Sequence, residues 1–341
     1  MKIALIYNLK KKILDKNKPD DFYSEFDSPK TVNSIAGALR ARGHKVRLIE
    51  AEHNLLDYLF RNRKKVDFVF NIAEGINGAG RESQVPAMLD FLGIPYTGSN
   101  VLAMAVALDK AYTKKILASE GIPVPKFQLF STGRERISPR LKFPLIVKPN
   151  SEGSAKGIYS SSVVYSKVNL YRQIERVIRD YRQRALVEEF IEGRELTSGV
   201  IGNGRLKVLP LLEIDFSSCR GSGEFFYSWR MKEFQGDKEK YLTPTFYCPA
   251  RIKPGLARRI SELALRSHKV ISCWDISRTD FRLDKKNQPY VLEINPLPGL
   301  DPQESNFPLM ARAAGIQYAD LINQILDAAV ERVNGEYKRI K

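Results

Sequence analysis

Arg278-Thr-Asp-Phe-Arg-Leu-Asp-Lys-Lys-Asn-Gln-Pro-Tyr-Val-Leu-Glu-Ile-Asn-Pro-Leu-Pro-Gly299 consists of two short alternating runs around a polar turn. Asp280 to Leu283 has strand periodicity, Lys285 to Pro289 supplies turn residues, and Tyr290 to Ile294 returns as a second strand. Because side chains alternate along a strand, Glu293 and Asn295 share a face, and antiparallel pairing brings Asp280 opposite them. Two carboxylates and an amide oxygen are the hard ligands that magnesium selects, with water and substrate phosphates completing its shell. An ordinary hairpin with its polar residues in water would show the same local pattern. The reading therefore turns on whether the rest of the chain supplies groups for phosphate.

The chain has 341 residues, 43% of them apolar, enough to bury the cores of two or three units. It has no apolar run of about eighteen residues, and the opening Met1 to Tyr7 gives way to lysines from Lys10 onward, so neither a membrane span nor a secretion signal is expected. The expected location is the cytoplasm, with no membrane partner. Cys219, Cys248 and Cys273 are widely spaced, which argues against structural zinc, thiol catalysis and a disulfide framework. The net charge of +16, from 55 Lys and Arg against 39 Asp and Glu, is spread along the chain rather than gathered in a tail. That distribution argues against nucleic acid as the main partner and suits an enzyme that draws in anionic substrates.

Upstream, Lys2 to Tyr7 reads as a strand, and a polar loop runs through Asp27. Ser28-Pro29 caps a helix whose apolar face is Val32, Ile35, Ala36 and Leu39. Strands at Lys45 to Glu50 and Asp67 to Ile72 flank a helix with Leu55, Leu56, Leu59 and Phe60. This alternation predicts an open parallel sheet, with binding residues beyond the carboxyl ends of its strands. Asn71-Ile-Ala-Glu-Gly-Ile-Asn-Gly-Ala-Gly-Arg-Glu82 lies there, and Glu74, Arg81 and Glu82 are its candidate functional side chains. The glycine spacing is not a dinucleotide fingerprint, and a structural loop is the competing reading.

Val101 to Glu120 reads as one long helix carrying Lys110, and Gly121-Ile-Pro-Val-Pro125 as a hinge. Leu145 to Lys148 is a strand that delivers Lys148, followed by a small-residue loop, 151–157, containing Ser154. Backbone N–H groups and the Ser154 hydroxyl there could wrap phosphate oxygens, although a surface turn would look similar. In the strand Ala185 to Phe190, alternation sends Glu188 and Glu189 to opposite faces, and Val187, Phe190 and Ile191 offer an apolar slot for a purine ring. Glu195 follows the Gly193 turn. Strands are expected at Leu196 to Ile201 and Leu206 to Leu212. The long aromatic and basic loop from Cys219 to Tyr241, with Phe225, Phe226, Tyr227, Trp229, Arg230 and Lys232, reads as a lid. Leu321, Ile322, Ile325, Leu326, Ala329 and Val333 mark a packed terminal helix.

In this order, Lys110, the Lys148 strand with its glycine loop, the Glu188 to Glu195 segment, and Arg278 with Asp280, Glu293 and Asn295 resemble the ATP-grasp superfamily. Ile94-Pro-Tyr-Thr-Gly-Ser99, Asp109-Lys110, Ile146-Val-Lys-Pro149, Glu152-Gly-Ser154, Phe246-Tyr-Cys-Pro-Ala250 and Glu293 to Gly299 are similar to blocks of the D-alanine–D-alanine ligase family. The resemblance implies a mixed α/β and α+β architecture, an ATP-grasp fold behind an N-terminal open parallel-sheet domain. The implied units are 1–100, a central lid unit 101–195 and a catalytic unit 196–341. It also implies an ADP-forming carboxylate–amine ligase working through an acyl phosphate, with ATP and two magnesium ions, and a homodimer. Lys110, Lys148 and Ser154 would contact nucleotide phosphates. Glu188, Glu189, Phe190, Ile191 and Glu195 would surround adenine and ribose. Asp280, Glu293 and Asn295 would hold the metal, while Arg278 and the Gly299 N–H would stabilise developing charge. Ser305 would receive the acceptor's carboxylate.

The chain departs from the family where amino acids are recognised. The family's His-Gly becomes Glu74-Gly75, and its Glu-Asp pair becomes Ala79-Gly80, followed by Arg81 and Glu82. Its Glu-Val-Ser is replaced by Phe26-Asp27-Ser28, leaving Ser28 and Glu25 or Asp27 as candidates, and its lid Lys-Tyr pair falls on Arg230 or, with a shift, Lys232. The expected substrates are therefore a small carboxylate and amine, such as amino acids. Ligation of a different acid and amine is the alternative, and a non-enzymatic nucleotide-binding protein a more distant one.

Overall fold

The structure is a computed structural model that describes residues 1–11, 18–237, 239 and 242–340. The strand Lys2–Tyr7 lies between Lys45–Glu50 and Phe68–Asn71 in a parallel sheet. Its Ile3 to Ile6 run is wholly buried, because helices cover both faces of such a sheet. The helix Pro29–Ala41 begins where the sequence places it, with Ser28 Oγ accepting from the Thr31 N–H at 3.1 Å. Its Ile35 and Leu39 share a core with Leu5, Phe70 and the last helix, Tyr318–Ile340, through Leu321, Ile322 and Ile325. The terminal apolar stripe is thus internal packing. Among the described residues, no helix is long and apolar enough to cross a membrane.

Asp275, fully buried, fastens this packing. It accepts from the Gly98 N–H at 2.8 Å, from Asn203 Nδ2 at 2.8 Å and from Arg332 Nη2 at 3.1 Å. Asp275→Ala would leave the Arg332 guanidinium buried and unpaired, so a loss of about 3–5 kcal/mol in unfolding free energy is expected. Urea denaturation of wild type and variant measures it, and a midpoint matching wild type would contradict this account.

The expected helix from Val101 to Glu120 is in fact two, Val101–Leu108 and Lys110–Ser119. Asp109 is extended, and its carboxylate caps the Tyr112 N–H at 2.9 Å, so the capping preference of Asp breaks a continuous apolar pattern. The break places Lys110 in a first turn where it is 6% exposed instead of facing solvent.

Phe127–Phe130, Ala185–Glu189, Leu145–Pro149 and Val163–Val164 form, in that order, an antiparallel sheet. Thr245–Tyr247, Leu212–Asp215, Glu195–Ile201, Ile276–Leu283 and Pro289–Asn295 form a second. The strand expected at Leu206 to Leu212 is divided into Lys207–Val208 and Leu212–Asp215, with Pro210 between them lacking a ladder donor. The long loop from Cys219 contains a short helix, Trp229–Glu233, capped by Ser228. Tyr241, its expected end, lies outside the described residues.

Candidate active site

One cavity of about 430 Å³ takes its walls from both antiparallel sheets, the loop 151–157, the short helix Trp229–Glu233 and the loop before the first helix. The opening hairpin sets its chemistry. Asp280 pairs directly with Glu293 and Arg278 with Asn295, and a bulge after Asp280 shifts the register beyond them. Bulges re-aim side chains, and here the four residues carrying chemistry lie ahead of it. Arg278 forks onto Asp280, Nε to Oδ1 at 2.9 Å and Nη2 to Oδ2 at 2.7 Å. Asn295 Nδ2 donates to Asp280 Oδ2 at 3.2 Å, and Lys110 Nζ lies 3.2 Å from Glu293 Oε2. Burial opposes ionisation of Glu293, yet Lys110, Lys148 and Arg278 outweigh it and hold its carboxyl far below the usual range.

At the adjoining end, Lys148 Nζ reaches Glu188 Oε1 at 2.5 Å and Lys114 Nζ reaches Glu188 Oε2 at 3.1 Å. Burial, reinforced by Lys148, lowers the Lys114 ammonium to about 8 against the pull of Glu188. Glu189 turns the other way and accepts from the Lys142 N–H at 3.0 Å. Phe190 meets Phe226 edge-on with ring centres 5.8 Å apart, and Ile146 belongs to the same small apolar cluster. Ile191 also lines the cavity, and Glu195 pairs with Arg282 at 3.0 Å.

The loop 151–157 carries Ser154 and Ala155 in the left-handed region, at φ 49° and 57°. Lys232 Nζ meets Ser154 Oγ at 3.3 Å, whereas Arg230 is exposed and off the cavity wall, so Lys232 is the lid cation within reach. Glu25 anchors the loop by accepting from the Gly153 N–H, from Lys156 Nζ at 3.2 Å and from Arg81 Nη2, which lies 2.6 and 2.7 Å from its two oxygens.

The remaining wall holds Asp27, Ser28, Glu74, Glu82, Gly299, Asp301 and Ser305. A Cβ at Gly299 would sit 2.9 Å from Ser305 Oγ, a closeness that only glycine avoids. Carboxylate oxygens of Glu25, Glu74 and Glu82 lie within 4.8 Å of one another. Burial lifts the Glu82 carboxyl to about 7 despite Arg81, and burial together with Asp301 lifts Asp27 to about 7. Glu74 is raised by burial and then by Glu82.

The sequence-derived site candidates therefore line one cavity, except Arg230 on the lid, Arg81, which stands behind the wall and holds Glu25, and Val187, which alternation turns away from the slot into the core with Phe130, Val147 and Leu170. Lys114 and Arg282 were missed, although each carried a signal. Lys114 follows Lys110 by one helical turn, and Arg282 follows Arg278 and Asp280 on one face of a strand.

Two antiparallel sheets closing on lysines, a small-residue loop and an acidic hairpin make this an ATP-dependent, ADP-forming ligase of the ATP-grasp class. Residues 116–327 match the family described as D-ala D-ala ligase C-terminus, and the chain belongs to the D-alanine–D-alanine ligase family. It is 38% identical over 313 residues to a D-alanine–D-alanine ligase of Carboxydothermus hydrogenoformans, covering 89% of this chain and 94% of that protein. An uncharacterized protein of Sinorhizobium fredii is 35% identical over 309 residues, covering 89% and 88%. The crystal structure of the D-alanine–D-alanine ligase from Bacillus anthracis complexed with ATP superposes with a TM-score of 0.76 at 26% identity, over 98% of this chain and 99% of that one.

Proposed function

We propose that this enzyme joins two amino acids through an acyl phosphate, with D-alanine as donor and acceptor. The carrying observation is that one cavity unites Lys110, Lys148 and the Ser154 loop with the acidic hairpin and, further along, Gly299 and Ser305. The donor carboxylate attacks the terminal phosphorus of ATP and ADP leaves; the acceptor amine then attacks the acyl carbon, giving up a proton, and phosphate departs as the amide forms. Lys110, Lys148 and Ser154 bind the phosphates, Glu188 to Ile191 and Glu195 frame adenine and ribose, and Arg278 stabilises the transferring group. The Gly299 N–H meets the oxyanion of the second step, Ser305 takes the acceptor carboxylate, and Lys232 with the lid keeps water away.

The hairpin's donor set suits magnesium: Glu293 is held ionised, Asp280 stands across the ladder from it, and turning the Asn295 amide presents its oxygen. Asp280, Glu293 and Asn295 would hold two ions, which when bound offset the charge of the phosphates. Two exposed side chains, Phe91 and Leu102, suit a homodimer contact, which sedimentation velocity reads directly.

Glu74 and Glu82 favour a second reading, in which the donor is a different amino acid whose ammonium meets extra negative charge. Phosphate release from ATP and magnesium across single and paired amino acids, with products identified by mass, tests both. D-alanyl-D-alanine as the main product supports the first reading. Silence with D-alanine but turnover with another pair moves the proposal to the second.

A pH dependence follows from the lifted carboxyls. A carboxyl titrating at about 7 is neutral below that pH and charged above it, so this end of the cavity gains negative charge as pH rises from 6 to 8. The linkage has the opposite sign for stability: Glu82 favours the folded state below 4.5, and that contribution is lost as pH rises through about 7. The KM of the ammonium-bearing donor is expected to fall about three- to tenfold between pH 6 and 8. Glu82→Gln should flatten that limb, and an identical profile in the variant would remove Glu82 from donor recognition.

A further inference from the structure

Residues 18–28, between the first strand and first helix, cross the mouth of the loop 151–157 and hold it at both ends. Glu25 takes the Gly153 N–H, and Asp21 takes the other end. Asp21 is completely buried, and its Oδ2 accepts from the Gly157 N–H at 2.7 Å, from Tyr181 at 2.7 Å and from Tyr159 at 3.2 Å. The loop between these anchors is unfavourable by itself. Ser154 and Ala155 are left-handed, Gly157 has φ 75°, and a side chain at Gly157 would run into Pro149. Backbone of this kind persists only where its surroundings over-determine it. Among the described residues, Asp21 Oδ1 is buried with no hydrogen-bond partner. Burying a half-satisfied carboxylate works against stability, so its presence is better explained by what Oδ2 holds.

We infer that Asp21 is a positioning residue for the phosphate-binding loop, fixing the Gly157 end so that the Ser154 and Ala155 amides stay preset for anionic oxygens. The inference rests on the reading of 151–157 as that loop. The same strap continues to Asp27 and Ser28 on the amino-acid wall, and Ser24 Oγ accepts from Trp229 Nε1 of the lid helix at 2.8 Å. It therefore joins the nucleotide end, the lid and the amino-acid end.

With the loop competent about a tenth of the time, apparent ATP affinity falls about tenfold. Asp21→Ala is accordingly expected to raise the KM for ATP about tenfold with kcat within about twofold, and to speed amide hydrogen exchange across 151–157 in the nucleotide-free protein. Asp21→Asn, which keeps an acceptor for Gly157, should recover most of the affinity. An unchanged KM for ATP in Asp21→Ala, or exchange at the wild-type rate, overturns the inference. Should that variant fail to fold, Tyr181→Phe, which removes one hydroxyl and keeps the ring, reads the same quantities with an expected KM rise of about threefold. Lys148→Ala keeps the two readings apart: an unchanged KM there defeats the nucleotide assignment, whereas an unchanged KM in Asp21→Ala alone defeats only the strap.

Discussion

Glu293→Gln is expected to lower magnesium-dependent phosphate release from ATP about a thousandfold, at the upper end of what removing one preorganised electrostatic group costs. The glutamine keeps volume and shape but removes a charge that Lys110, Lys148 and Arg278 together hold ionised against burial. Without it those cations face one another, and the hairpin keeps Asp280 as its one carboxylate. The fold should survive, because Glu293 lines the cavity and its side chain is still 24% exposed. A shift in thermal midpoint of about 2–4 °C would be the whole structural effect. Phosphate release by the variant across a magnesium titration decides the matter, and wild-type turnover would move the metal site away from this hairpin.

Arg278→Ala should separate chemistry from binding. Its guanidinium forks onto Asp280, and on the proposed reading it would stand beside the transferring group and outside the adenine slot. Loss of this cation is expected to reduce kcat about a hundredfold to a thousandfold while the KM for ATP stays within about threefold. Arg278→Lys should recover little, because an ammonium cannot reproduce the planar two-point contact. Steady-state kinetics on both variants gives the split. A large rise in the KM for ATP with kcat intact would make Arg278 a binding residue.

Both variants probe a hairpin that is legible in the amino-acid sequence. Strand alternation and the short turn give the two strands, but the register at the chemistry comes from the bulge: continued unshifted from Phe281 and Val291, the ladder would set Asp280 against Leu292 and not Glu293. The parallel sheet is readable because its apolar strands are short, local and separated by helices, the first of them capped by Ser28. Lys110 is harder, since its neighbourhood reads as continuous helix, and only the competition between Asp109 as a cap and the apolar run decides where the helix breaks. Arg230 and Lys232 cannot be ranked from sequence, because two residues on one short helix face different directions and packing selects which of them meets Ser154.

The sequence by itself determined the elements of the parallel sheet and the two strands of the acidic hairpin, which follow from periodicity over a few residues, whereas the proposed nucleotide residues came from the resemblance to the ATP-grasp superfamily. The tertiary structure decided what lies far apart in the chain. Asp21 reaches Gly157 and Tyr181, Glu25 reaches Arg81 and Gly153, and Asp275 reaches Arg332 and Gly98. Such contacts pair residues from about sixty to more than a hundred and seventy positions apart, well beyond any local period. Whether a carboxylate there ends ionised, neutral or half-satisfied depends on the burial and neighbours that only the folded chain creates.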